Sequence, residues 1–242
     1  VKLSRLRYQI SEPASFQSNP RTVIFFTTTA KEALEVPPLC NPSNLLQDHH
    51  IRVISFDLPL HDDTIPSFDG VKRWTSHMAE NNEDILDLFL KEVSEWIDQN
   101  LPPSAPLGFM GISRGAFLAA HLANYRGKKY PLLLFSPMHD LEYPWLWTAQ
   151  SEIPLFVEKY RMSHIRSFLK DCPVFLSIGN NDERVHTHKL IHFYEQMIEE
   201  KKKGQQRNIP LELHVFPSIG MYGHGTSDNI FSLGTTWMNQ IL

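Results

Sequence analysis

The chain has little of several things, and each shortage excludes something. Two cysteines, Cys40 and Cys172, are too few for a disulfide framework, and both read as buried or idle thiols. There is no apolar run of roughly 18 residues, so stable membrane insertion is not expected. The N-terminus lacks the charged and apolar regions of a secretory leader. A cytoplasmic protein is the expectation, although a chain that starts at Val1 rather than Met is compatible with a removed leader. The net charge is only −4, and no basic stripe interleaves with aromatics, so nucleic acid is not an expected partner. The one basic run, Lys201–Lys203, ends a helix-like segment before Gly204, where cations suit the negative end of the helix dipole. No internal repeat or low-complexity linker divides the 242 residues, which predicts a single domain over 1–242. No motif calls for a cofactor, and nothing in the sequence speaks to oligomeric state.

What is present is an ordinary globular composition, 42% apolar and 21% charged, organised as strands alternating with helices. Leu3–Ile10 reads as a first edge strand. Thr22–Thr27, His50–Phe56, Leu107–Ile112, Tyr130–Phe135, Pro173–Ile178 and Pro210–Phe216 read as β-branched or apolar strands. Pro37-Pro38 and Asn41-Pro-Ser-Asn44 punctuate a loop and a short helix start. Ile85, Leu88, Phe89, Val93, Trp96 and Ile97 share one face of a helix predicted from Trp74 to about Asn100, where Pro102-Pro103 follows. Further helical patterns cover Thr187–Lys203 and Ser227–Leu242. This alternation predicts an α/β fold with a mainly parallel central sheet and helices on both faces. Such sheets place ligands beyond the carboxyl ends of their strands.

The most informative segment is Gly111-Ile-Ser-Arg-Gly115, between the apolar run ending at Ile112 and the alanine-rich run Ala116–Ala123. A random match to this pattern is expected about 0.04 times in a chain of this composition. Strand, turn and helix around G-x-S-x-G form a nucleophile elbow, in which Ser113 is lifted above the sheet edge. A serine hydroxyl needs a base, and the base needs an orienting acid. His224, between Gly223 and Gly225 after the last strand, is the candidate base. Asp182, in Gly179-Asn-Asn-Asp-Glu-Arg-Val185 after a buried strand, is the candidate acid. The alternative reading of Asp182 is a helix N-cap, with Glu183 as the nearest rival acid. Asp171 and Asp228 sit less well, on the wrong side of a strand and after the histidine.

The elbow, the acid loop and the Gly-His-Gly loop occur in an order and context that resemble the α/β-hydrolase fold family. Asp57-Leu-Pro-Leu-His61 is similar to that family's strand-end turn. The resemblance runs from about Thr22 to Leu242 and is closest to compact esterases related to prolyl oligopeptidase and dienelactone hydrolase. It implies acyl transfer on a small-molecule ester: Ser113 attacks, His224 is the base, and water releases the acyl-enzyme. It also implies an oxyanion hole. The Arg114 N–H is one donor, and the second comes from the loop after Thr22–Thr27. There the family's usual His-Gly is replaced by Thr27-Thr-Thr-Ala30, so Thr28 or Thr29 is the expected donor.

Other features have blander readings. His186, His188 and His192 lack the glutamate and the third ligand of a zinc motif, and read as an exposed helix face. His61-Asp62-Asp63 reads as a polar turn, and Asp57 as a hydrogen-bonding structural carboxylate. Ser136 ends a strand without flanking glycines. Met138 to Asp171 is an insertion read as a small cap, whose aromatics, including Trp145 and Trp147, are expected either to line the substrate pocket or to cover the sheet end. The runner-up activities are a peptidase or amidase of prolyl-oligopeptidase type, and a catalytically weak protein that binds a ligand or partner.

Overall fold

The computed structural model describes residues 6–14, 19–61, 69–143, 146–147 and 151–242. Among them, seven strands form one sheet in the order β1-β3-β2-β4-β5-β6-β7. They are β1 (Tyr8–Ser11), β2 (Thr22–Phe26), β3 (Arg52–Phe56), β4 (Leu107–Ile112), β5 (Leu132–Phe135), β6 (Val174–Gly179) and β7 (Leu211–Phe216). Only β1 runs antiparallel to its neighbour, and it lies at the edge. The expected first strand therefore begins later than Leu3, of which positions 3–5 lie outside the described residues.

Among the described residues, eight α-helices cover the sheet: α1 (Ala30–Glu35), α2 (Asn41–Asp48), α3 (Gly70–Asn81), α4 (Ile85–Asn100), α5 (Arg114–Arg126), α6 (Met162–Leu169), α7 (Thr187–Lys203) and α8 (Asp228–Ile241). The period-2 alternation of each strand sorts its side chains onto two faces. Ile24, Phe26, Ile54, Phe56, Phe109, Leu134 and Leu176 pack under α3 to α7. Val23, Phe25, Val53, Met110, Leu133, Phe135 and Phe175 pack against α1, α2 and α8. Both faces are dry, which is why β2, β5 and β6 read as continuous apolar runs.

Two expectations are corrected. The single helix predicted over residues 74–100 is two helices. Asn82, at φ 48°, ends α3 in the left-handed region that asparagine tolerates. Asp84 then caps α4 by accepting the Asp87 N–H at 3.0 Å. The buried face of α4 also differs: Leu86 and Leu90 are inside, whereas Leu88 is exposed. The segment after β5 carries a 3₁₀ turn (Leu155–Tyr160) and then α6, which packs on α5 and α7. Trp145 lies outside the described residues.

Candidate active site

The carboxyl ends of β2, β4, β5 and β6 converge because the four strands are parallel neighbours. Ser113 stands at the end of β4 with φ 57° and ψ −118°, a conformation an L side chain rarely adopts. Such a residue costs about 1–3 kcal/mol and persists only where its surroundings fix it. Its N–H donates to the Phe135 carbonyl at 2.8 Å, and its carbonyl accepts from Phe117 N (3.1 Å) and Met138 N (3.2 Å). The two glycines let the turn close. A Cβ on Gly111 would lie 2.3 Å from Ala116 N, and one on Gly115 would lie 1.9 Å from the Phe26 carbonyl oxygen.

Asp182 follows β6 and is fully buried at its side chain. Its Oδ1 accepts the N–H groups of Arg184 (2.9 Å) and Val185 (3.0 Å), and its own N–H donates to Thr187 Oγ1 at 2.9 Å. That hydroxyl donates in turn to the Gly179 carbonyl at 2.6 Å, tying the acid loop to its strand. The loop after β7 is fastened to the same place: Glu183 N donates to the Tyr222 carbonyl at 3.0 Å, and Asn181 N to Ser218 Oγ at 2.7 Å. Gly223, at φ 69°, passes so close that a Cβ would lie 2.2 Å from the Asn181 carbonyl oxygen.

These loops bring three side chains into one relay. His224 Nδ1 is 2.6 Å from Asp182 Oδ2, and His224 Nε2 is 2.8 Å from Ser113 Oγ. A carboxylate only accepts, so Nδ1 carries the proton and the Nε2 lone pair faces the serine hydroxyl. The hydroxyl thus donates to a base whose tautomer is set from behind. Beside it, the Arg114 N–H opens α5, where helix geometry leaves donors unpaired. Thr28 and Thr29 follow β2, buried, and among the described residues no group accepts their N–H or that of Arg114. Thr28 offers its carbonyl to Leu58 N at 2.9 Å, and both threonine hydroxyls donate to Glu32. Thr29 Oγ1 also accepts Glu32 N and caps α1.

The Esterase family model, described as "Putative esterase", matches residues 63–232, well over half of the chain. The chain belongs to this esterase family. Solved structures share its α/β-hydrolase fold at low identity. TT1662 from Thermus thermophilus is 16% identical with a TM-score of 0.66, covering 99% of this chain and 95% of its own. Est1E from Butyrivibrio proteoclasticus, solved with ferulic acid, is 13% identical (TM-score 0.60; 98% and 93%). An S-formylglutathione hydrolase from Agrobacterium tumefaciens is 15% identical (TM-score 0.64; 97% and 89%). No curated protein matches the chain significantly.

The other candidates in this esterase make the following contacts. Glu183 is exposed and accepts from the Asn181 side chain at 3.3 Å. Asp171 holds Lys170 and Gln206, and Asp228 accepts from Asn41 at 2.7 Å. Asp57 accepts Ala30 N at 2.7 Å and pairs with Arg7 at 2.7 Å, bracing the start of α1. Ser136 is buried at φ 44°, its N–H on the Ser177 carbonyl. His186 stacks on His188, while His192 meets Gln196. Among the described residues, no group of three or more metal-type ligands assembles. No helix there is long and apolar enough to cross a membrane. Trp147 packs on the core and donates its indole N–H to the Leu141 carbonyl at 2.5 Å. Neighbouring Tyr143 does touch the acid loop, donating to the Val185 carbonyl at 3.2 Å.

Sequence reasoning missed Thr187, whose only signal was a threonine opening α7, and the side chains of Arg114 and Arg184. Arg114 is 7% exposed, and its guanidinium Nη1 has no hydrogen-bond partner.

Proposed function

We propose that this esterase is a serine hydrolase that cleaves carboxylic esters of small or medium molecules through an acyl-enzyme. Ser113 Oγ attacks the ester carbonyl carbon while His224 Nε2 takes its proton. Asp182 orients the imidazole and stabilises the imidazolium that forms. The oxyanion lies against the N–H of Arg114 and that of Thr28 or Thr29. His224 then protonates the departing alcohol. A water attacks the acyl-serine by the same route, so one ester and one water become one acid and one alcohol. The observation that carries this reading is the unbroken Asp182–His224–Ser113 chain, with bonds of 2.6 and 2.8 Å, beside backbone N–H groups that no described residue accepts.

The preformed donors matter as much as the nucleophile, since losing one such donor typically costs about 10²–10³ in rate. We take residues 1–242 as one catalytic domain and 138–171 as a small cap. Met138 N on the Ser113 carbonyl and Tyr143 on the acid loop support that placement. The test is a steady-state panel of short alkyl esters against aminoacyl-proline amides, run on the parent, Ser113→Ala and His224→Ala. Ester turnover lost by about four orders of magnitude in either variant is expected. Amide turnover exceeding ester turnover, or ester turnover indifferent to both substitutions, would overturn the proposal.

A further inference from the structure

Two arginines next to the relay make no ion pair among the described residues. Arg114 directly follows Ser113, and its side chain is more than nine-tenths buried. Among the described residues, no acceptor takes any of its guanidinium N–H groups and no carboxylate pairs with it; Nη1 is wholly shut from water. The charges that act on it are Glu32, on α1 after the Thr27–Thr29 loop, and Arg184, in the acid loop. The hydrogen bonds from Asp182 through His224 to Ser113 bring the acid loop to the elbow, and Gly115 lies against the Phe26 and Thr27 backbone where the oxyanion loop begins. Arg184 is itself half-buried, two residues beyond Asp182, and its side chain makes no ion pair among the described residues. Burial first, then Arg184, pull the Arg114 pKa down to about 9, with Glu32 offsetting part of this, so the group stays charged at neutral pH. Burial lowers Arg184 likewise, with Asp182 and Tyr222 opposing.

Among the described residues, neither nearby carboxylate hydrogen-bonds to either guanidinium. Asp182 is occupied by His224 and two backbone N–H groups, and Glu32 takes the hydroxyls of Thr28 and Thr29. Burying one unpaired cation is costly, and placing a second like charge within reach of it is more so. Structures keep such conflicts mainly at functional sites, where a ligand resolves them. The positive end of α5 adds to the same field.

We propose that the preferred substrates are esters that also carry a carboxylate, held beside Ser113 by the guanidiniums of Arg114 and Arg184. A planar guanidinium matches a carboxylate with two parallel hydrogen bonds, and a pair of them fixes its orientation. The inference rests on the serine-hydrolase reading for its catalytic half and on Arg114 and Arg184 alone for its binding half.

The test uses matched substrates in a pH-stat at constant ionic strength. Ethyl hydrogen succinate against ethyl valerate puts the charge on the acyl side; butyryloxyacetate against propyl butyrate puts it on the alcohol side. The readout is the anionic-to-neutral ratio of kcat/KM in the parent, Arg114→Gln and Arg184→Gln. In at least one pair the ratio should fall about 10- to 100-fold on substitution, the scale of a hydrogen bond to a charged group. The pair that responds assigns the side. Succinate should also raise the Tm of the parent and not that of Arg184→Gln. Arg114→Met should raise the Tm of the unliganded protein, whereas a purely structural arginine would lower it. Ratios that neither substitution moves, with neutral esters still turned over, overturn the proposal and leave the esterase reading standing. If no ester turns over, that reading fails instead, and the succinate shift alone decides whether the two arginines bind a carboxylate.

Discussion

Gly115→Ala should disable this esterase far more than it unfolds it. The added Cβ would lie 1.9 Å from the Phe26 carbonyl oxygen, 2.4 Å from its carbon and 2.9 Å from Thr27 N. All three are backbone atoms, so no rotamer change relieves the clash. Real Cβ contacts almost never fall below 3.0 Å, so α5 and the end of β2 must separate by about 1.1 Å. That motion acts on the join between the Arg114 N–H and the Thr27–Thr29 loop, the two sides of the proposed oxyanion hole. A misplacement of about 1 Å typically costs 10²-fold in rate, or about 2.7 kcal/mol of barrier. The stability cost of overpacking should be about 1–3 kcal/mol. Gly127→Ala is the control. It stands at φ 63° with nothing within 4 Å, so it strains the end of α5 without touching the site. The assay is kcat on a short ester well below both midpoints, beside urea unfolding of each variant. A Gly115→Ala enzyme no slower than Gly127→Ala would refute the reasoning.

Asp182→Asn should keep the fold, because an amide oxygen still accepts from Arg184 N and Val185 N. It should nevertheless lose about 10⁴ in kcat by favouring the wrong histidine tautomer, as steady-state kinetics will test. Acid should destabilise the protein through two buried histidines. Burial is the main cause that lowers His121 to about 3 and His139 to about 4, against an ordinary 6.5. The unfolded chain therefore takes up protons first, so this stability is full above about pH 6.5 and is lost as pH falls toward the folded values. Each histidine should cost about 2 kcal/mol by pH 5, measured by urea unfolding at that pH and near pH 7.5. His121→Phe, whose ring would replace the imidazole against Phe117 and Tyr160, should lose about 2 kcal/mol less than the parent over that range. An equal loss in the two proteins would contradict this.

The layered fold was legible in the sequence because strands buried on both faces are apolar throughout and each ends in turn chemistry. Gly111 and Gly115 pointed to the elbow because only glycine permits the approach of α5 to β4 and β2. The order of Ser113, Asp182 and His224 along the chain carried their candidate roles, since each follows a strand of a parallel sheet. The break at Asn82–Asp84 was hidden because the apolar periodicity continues across it, and only cap geometry separates α3 from α4. Leu88 misled for a related reason: it neighbours the α4 stripe, but tertiary packing turned Leu86 and Leu90 inward. Arg114 was visible only as a backbone donor. Its burial without an ion pair among the described residues is a product of tertiary packing, which no local pattern encodes. Thr187 was concealed in the same way, because its hydroxyl matters only once Gly179 and Asp182 are brought over it.

The central claim is that Ser113 is the activated nucleophile. Incubating the folded protein with a fluorophosphonate probe and mapping the labelled peptide tests it most directly. A single adduct on Ser113 is expected, formed far more slowly in His224→Ala and absent in Ser113→Ala. A folded parent left unlabelled at Ser113, or labelled equally well in His224→Ala, would contradict it.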